Sequence, residues 1–307
     1  MEGVMMKNQE KYAVAVRKPD HEIVVEVAEY NGIIKNKKIR NLPILRGVFS
    51  FIESLTLGMK TLMFSASFFE EEEEKKEETK QPLSEEAKKE LEKKQKKQEK
   101  AMMGGTMVFS ILMAIVIFML IPYYASLLFQ KFISSKLLIT LIEGILRLAI
   151  FIGYVAAISM MEDIRRVYMY HGAEHKCINC IEHGLDLTVE NVKKSSKQHK
   201  RCGTSFMLIV MVISIFFFMF IQTDVRILRL LLRIVLIPVI AGVSYEFIRL
   251  AGRSDNVVVN VLSKPGMWLQ NLTTKEPDEE MIEVGIASVE AVFDWKAYVA
   301  KIRQEGI

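Results

Sequence analysis

The chain has 307 residues, 50% of them hydrophobic and 25% charged, with a net charge of +4 and a mean hydropathy of +0.20. Two such populations coexist only if they are segregated, and here apolar runs long enough for a bilayer core, about 20 helical residues, alternate with charged stretches. This excludes a soluble enzyme, a secreted scaffold in which all three cysteines would have to pair, and nucleic-acid binding driven by bulk charge.

Residues 1–41 open with β-branched and alternating runs at 12–16 and 22–27 around the turn-forming Lys18-Pro19-Asp20-His21, which predicts a β-hairpin or small sheet at the membrane surface. No cleavable signal peptide is expected before the first span. Residues 42–69 are apolar for a full span's length yet contain Arg46, Glu53 and Lys60. Steps of seven residues put these within about 20° of one line, a polar stripe on an apolar helix that predicts an interfacial or half-inserted element. Residues 70–104 form a linker: Glu70 to Lys100 holds 22 charges in 31 residues, acidic first and then lysine-rich. A solvated, partly helical connection is expected there, with a polybasic anchor to anionic lipid as the functional alternative.

Four spans are predicted, at 105–129, 137–161, 204–221 and 227–250, so residues 105–161 and 204–250 carry two each. The segment 162–203 between the second and third holds Arg165, Arg166, Lys176, Lys193, Lys194, Lys197, Lys200 and Arg201, against Lys131, Lys136 and Arg226 on the opposite side. The positive-inside rule therefore places this loop and both termini in the cytoplasm. Glu143 and Arg147 stand at i,i+4 in the second span, and Arg229 and Arg233 in the fourth. The plain reading is an ion-paired layer, Glu143 and Arg233 lying at similar depth; the sharper one is a proton or substrate path through that layer.

Four of the five histidines and all three cysteines fall between His171 and Cys202. His171, Glu174 and His175 make a His-x-x-Glu-His pattern, in which two histidines at i,i+4 share a helix face and the glutamate acts as general base, as in inverted zinc-peptidase motifs. Glu174 is thus the candidate catalytic residue, and His171 and His175 are the candidate ligands of a divalent metal ion, zinc. Glu182 shares the face but lies about 10 Å along the axis from His175, too far for the same ion. Gly184 should end the helix, leaving Glu190, His199 and Cys202 free to fold back as a third ligand. The alternative for the two histidines is a hydrogen-bonded structural role. Cys177 and Cys180 form a Cys-x-x-Cys, redox or metal chemistry being weighed against packing on a continuous helix. Cys202, flanked by His199 and Arg201, is a candidate ligand or nucleophile with a depressed pKa.

Residues 251–307 are expected to leave the membrane through 253–271. Thr273-Thr274-Lys275-Glu276-Pro277 then predicts a helix start with proline in the first turn, and 281–302 an amphipathic helix docked on the cytoplasmic layer.

Several segments together resemble the YqhQ family of bacterial multi-pass membrane proteins. They are Glu2-Gly3-Val4-Met5-Met6, Leu45-Arg46-Gly47, Gly172-Ala173-Glu174-His175-Lys176, Arg201-Cys202-Gly203-Thr204-Ser205-Phe206, Ser244-Tyr245-Glu246 and Pro265-Gly266-Met267-Trp268-Leu269-Gln270. The resemblance implies a helical membrane fold and metal-dependent chemistry with no established substrate, carried here by His171, Glu174, His175, Glu190, His199 and Cys202. The sequence departs from the family in three places. The family's glycine-rich lead before Glu-Gly-Val-Met-Met is either absent or upstream of a misassigned start, Lys200 stands where the family has proline, and Cys177 and Cys180 stand where it has threonine or a small residue.

The expected architecture is an all-α membrane protein, a four-span bundle with a cytoplasmic layer containing the hairpin and a C-terminal helix. Metal-dependent hydrolysis at the cytoplasmic membrane face is the leading function, with the lipid bilayer as surroundings and no nucleic-acid partner. A non-catalytic scaffold or regulator with a structural site is the first rival. A transporter, requiring a homo-oligomer, is the second.

Overall fold

The computed structural model describes residues 2–30, 32, 34, 42–78, 102, 104–221, 223, 225–254 and 256–305. It is mostly helical, with one small sheet. The chain forms two compact units, residues 1–68 with 152–307 and residues 69–151.

In the first unit, β1 (Gly3–Asn8), β2 (Lys11–Arg17) and β3 (Ile23–Glu29) form an antiparallel sheet in that order. The expected hairpin is β2–β3, closed by the turn in which Lys18 pairs with Asp20 at 3.0 Å and His21 takes φ 68°. The first strand adds itself through Gln9 at φ 55°. Because strand residues alternate between faces, β2 buries two sets of side chains. Tyr12, Val14 and Val16 pack with Leu57, Phe64 and Phe68 of α1 (Leu45–Glu78), while Ala15, with Val4 and Met6 of β1, joins the main core.

That core lies against α4 (Glu162–Glu182), α5 (Val189–Lys194), α9 (Glu279–Val292) and α10 (Trp295–Glu305). Gly184 ends the α4 run as expected, taking φ 70°, a conformation that costs a residue without Cβ little. The segment 162–203 is therefore built on helices rather than being an open loop. Cys177 and Cys180 belong to its packing: both are buried in this core, and burial pushes both thiols up.

Helix α1 continues to Glu78, so the first nine residues of the expected linker are helical, and most of the remainder falls outside the described residues. Its polar stripe faces the protein. Arg46 pairs with Glu246, Glu53 is buried and Lys60 donates to the Tyr12 hydroxyl at 3.0 Å, whereas Ile52, Leu55, Met59, Leu62 and Met63 are exposed. The helix is inside out relative to one on a soluble domain.

Among the described residues, three helices are long and apolar enough to cross a membrane: α2 (Gly104–Lys131), α3 (Lys136–Ile158) and α7 (Arg226–Ala251). Proline at 122 lacks the N–H that an α-turn requires, and the preceding turn widens into a π-segment at Val116–Leu120. The third expected span coincides with a shorter apolar helix, α6 (Gly203–Met219), of 17 residues and so about 25 Å long. Within α3, Arg147 donates to Glu143 at 3.0 Å with both side chains buried. At the start of α7, Arg229 donates to the Thr223 carbonyl at 2.6 Å, and the Arg233 guanidinium lies 4.9 Å from the Phe218 ring centroid.

The C-terminal region departs most from expectation. Residues 253–271 contain a helix, α8 (Val257–Thr273), capped by Asn256 and running through Pro265. The stretch 274–277 is a connection, not a helix start, because Asp278 provides the cap by accepting from Met281 N–H at 2.8 Å. The helix expected over 281–302 breaks at Phe293-Asp294 into α9 and α10.

Candidate functional site

The i,i+3,i+4 spacing on α4 puts His171, Glu174 and His175 on one face, and Ile178 one turn on continues it. The two imidazoles sit edge to face with centroids 4.4 Å apart. Each commits Nδ1 to a backbone carbonyl: His171 donates to Thr273 O at 2.9 Å and His175 to Lys197 O at 2.7 Å. A carbonyl only accepts, so both Nδ1 atoms carry hydrogen and both Nε2 atoms are left for the site.

Cys202 completes the group as the N-cap of α6, its sulfur accepting from Thr204 N–H at 3.4 Å. Sγ stands 3.4 Å from His171 Nε2, and the ligand atoms of His171, His175 and Cys202 all lie within 4.8 Å of one another. Burial alone would hold the thiol protonated. Hydrogen bonds and charge from His171 and His175 override it and pull Cys202 down to about 4. In the same exchange burial disfavours the imidazolium, but Cys202 and Glu174 raise His171 to about 9. Each partner thus favours the charged form of the other: the imidazoles draw the thiol down and the sulfur holds His171 up. Burial pushes the Glu174 carboxyl up, opposed by His171 and His175.

The donor set fits a metal ion. Zinc bonds of about 2.3 Å to sulfur and 2.05 Å to nitrogen give a tetrahedral sulfur–nitrogen edge of about 3.6 Å, close to the 3.4 Å observed. Second hydrogen bonds from both Nδ1 atoms to fixed carbonyls are the usual orienting contacts of histidine ligands.

The carbonyls are themselves held. Lys176, almost wholly buried, donates to Lys193 O at 3.0 Å and Ser195 O at 2.9 Å, and Asn179 donates to Ser196 O at 2.7 Å and Gln198 O at 2.9 Å. Together they strap residues 193–198 along α4 so that Lys197 O meets His175. Gln270, fully buried on α8, receives His199 N–H and donates to His199 O, both at 2.8 Å, and to Ser205 Oγ at 2.6 Å. Gln270→Leu would leave the His199 backbone groups buried without partners. A loss of about 2 kcal/mol is expected, read as a lower chemical-denaturation midpoint in detergent.

Of the other candidates, Glu190 lies at the surface with its carboxylate on Lys194 at 2.7 Å, because the short α5 turns it outward. It does not join the cluster. His199 lines the same cavity but gives Nε2 to Glu182 at 3.1 Å; Arg201 also pairs with that carboxylate. Burial would raise Glu182, yet His199 and Arg201 hold it below the usual carboxylate range. The Glu143, Arg147, Arg229 and Arg233 group has no part in this cluster. Lys176, Asn179, Gln270 and the Thr273 and Lys197 carbonyls were not foreseen.

The cavity measures about 490 Å³. His171, Glu174, His175, Glu182, His199 and Cys202 form its polar wall, and Met6, Ile181, Val289, Val292, Phe293 and Tyr298 contribute much of its apolar wall. The arrangement offers a sulfur, two imidazole nitrogens and a carboxyl group to one partly open cavity, which suits metal binding, proton transfer or nucleophilic attack.

A family model described as "Protein of unknown function (DUF1385)" matches residues 42–295. The chain is 34% identical over 289 residues to the uncharacterized protein YqhQ of Bacillus subtilis (strain 168), covering 94% of this chain and 88% of that protein. No solved structure matches.

Proposed function

We propose that this chain, which belongs to the family of proteins of unknown function DUF1385, is a membrane-embedded hydrolase using a divalent ion held by His171, His175 and Cys202. The observation that carries the reading is the convergence of three ligand atoms within 4.8 Å beside Glu174 on the wall of one cavity. Zinc is the ion the donor set selects, since two imidazoles and a thiolate suit a borderline-soft cation. Held by these three residues, it would supply Lewis acidity. The chain's own residues do the rest. Thr273 and Lys197 fix the imidazoles, Glu174 takes the proton from the attacking water and returns it to the leaving group, and the apolar wall limits solvent.

On this reading α6, third in chain order, completes a set of four spans, and the lysines and arginines of 162–203 support a cytoplasmic site with both termini on the same side. The Arg147–Glu143 bond within α3 and, separately, the contacts of Arg229 and Arg233 at the start of α7 support structural roles for these charges over a transport path.

A second reading, thiol chemistry on Cys202, is favoured by its place at a helix N-terminus 3.4 Å from His171 Nε2. Elemental mass spectrometry of the detergent-purified chain separates the two. The hydrolase reading expects near-stoichiometric zinc in the wild type and its loss in a folded His171→Ala, His175→Ala double variant. No metal in either protein, after purification without chelator and attempted reconstitution, would sink the metal mechanism.

A further inference from the structure

Helix α8 is also inside out. Its buried residues are Ser263, Gly266, Leu269, Gln270 and Thr273, four of them small or polar, while Val257, Val258, Val261, Leu262 and Trp268 are 53–75% exposed. A 17-residue helix in contact with water would bury the second set and expose the first. We propose that the exposed face of α8 rests in the headgroup and upper acyl region of the lipid bilayer, as an interfacial helix rather than a further span.

Two observations select lipid as the occupant. The face continues an apolar surface: α8 begins a few residues after α7 ends and packs on α6 and α7, and α7 exposes Ile234, Val235, Ile237 and Leu250. Its edges carry interfacial residue types. Trp268 lies on the exposed face, and the exposed Lys264 and Arg253 provide charge complementary to anionic headgroups. Asn256, Asn260, Lys264 and Asn271 distribute polar groups along the helix, which suits the interface and opposes burial in hydrocarbon.

The placement bears on the site. The face opposite the exposed one holds Gln270 against the His199 backbone and Thr273 O against His171, so one helix diameter, about 10 Å, separates lipid from the cluster. A substrate drawn from the membrane surface then needs no long transfer through water. This last consequence rests on the proposed hydrolase reading; the lipid contact does not, and a failed metal test leaves it standing.

Trp268 and Trp295 are the two tryptophans, so Trp295→Phe leaves Trp268 as the sole reporter. The full chain would be reconstituted into vesicles of phosphatidylcholine and phosphatidylglycerol, and quenching by lipids brominated high or low on the acyl chain compared with quenching by aqueous iodide. The expected result is loss of most Trp268 emission with the shallow bromines, less with the deep ones and little with iodide. Quenching by iodide alone would overturn the proposal in favour of a water-facing helix. Stronger deep than shallow quenching would overturn it in favour of a span, and protection from all three in favour of a protein partner or second copy. If Trp295→Phe fails to fold, a spin label at Val261→Cys gives the same test, with the signal of the identically labelled wild-type chain, which has three free cysteines, subtracted. Collision with oxygen above that with a water-soluble nickel chelate is expected, and the reverse order overturns the assignment.

Discussion

Gly172→Ala is expected to be the most damaging single-methyl change in the first unit. An added Cβ would lie 2.0 Å from Lys275 O, well inside contact distance, and the atom it meets is backbone. That backbone is pinned, because Lys275 N–H donates to Tyr168 O at 2.8 Å one turn earlier on α4. Neither side can yield alone, so α4 and the α8–α9 connection must separate. About 3 kcal/mol or more of stability should be lost, and Thr273 O should leave His171 Nδ1. Gly153→Ala is the control, since nothing lies within 4 Å of its added methyl, and helix propensity there favours alanine by about 1 kcal/mol. Denaturation midpoints in one detergent read both. Equal midpoints for Gly172→Ala and wild type would show that the close approach does not exist.

The elements legible in the sequence are those whose cause is local. Alternation at residues 12–16, apolar length at 104–131, 136–158 and 226–251, and a glycine at 184 each act within a few neighbours. Helix α8 was not delimited within 251–307, and its Pro265-Gly266 is a pair that more often interrupts helices. In the folded chain Gly266 instead lets α8 approach Ser205, where a Cβ would meet the serine side chain at 2.9 Å. The stripe of Arg46, Glu53 and Lys60 was legible as a pattern, but its direction was not. Periodicity identifies a polar face without saying whether it turns to water or, where lipid is the outer solvent, to protein.

The site divides in the same way. His171, Glu174 and His175 announce themselves by helical spacing. Cys202 lies a strap away, and only the fold shows that it returns to them while Glu190 does not. What aims the rings is a pair of backbone carbonyls, 102 and 22 residues distant in sequence from the histidines they hold. A carbonyl exists at every position, so no residue type marks these two. Lys176 and Asn179 were visible only as polar residues on a helix, and Gln270 as one amide in an apolar stretch.

Lys176→Met tests whether that strap matters. The ammonium is buried with two carbonyls and the Glu276 carboxylate, at 3.0, 2.9 and 3.0 Å. Glu276 is mostly exposed and can return to water, whereas Lys193 O and Ser195 O lose their donor. A cost of about 2–4 kcal/mol follows from two unsatisfied acceptors. Methionine fills nearly the same volume, so the loss reports the hydrogen bonds rather than a cavity. Released carbonyls should let residues 193–198 shift and Lys197 O drift from His175; on the proposed metal reading this lowers zinc affinity by about 10–100-fold, the usual cost of losing an orienting contact. The comparison is Lys194→Met, whose exposed, solvent-screened pair with Glu190 should leave both stability and metal affinity unchanged. Competition against a chromophoric chelator, beside denaturation of the same samples, measures both quantities. If Lys176→Met loses stability but keeps wild-type affinity while His175→Ala does not, the strap holds the fold and something else orients His175.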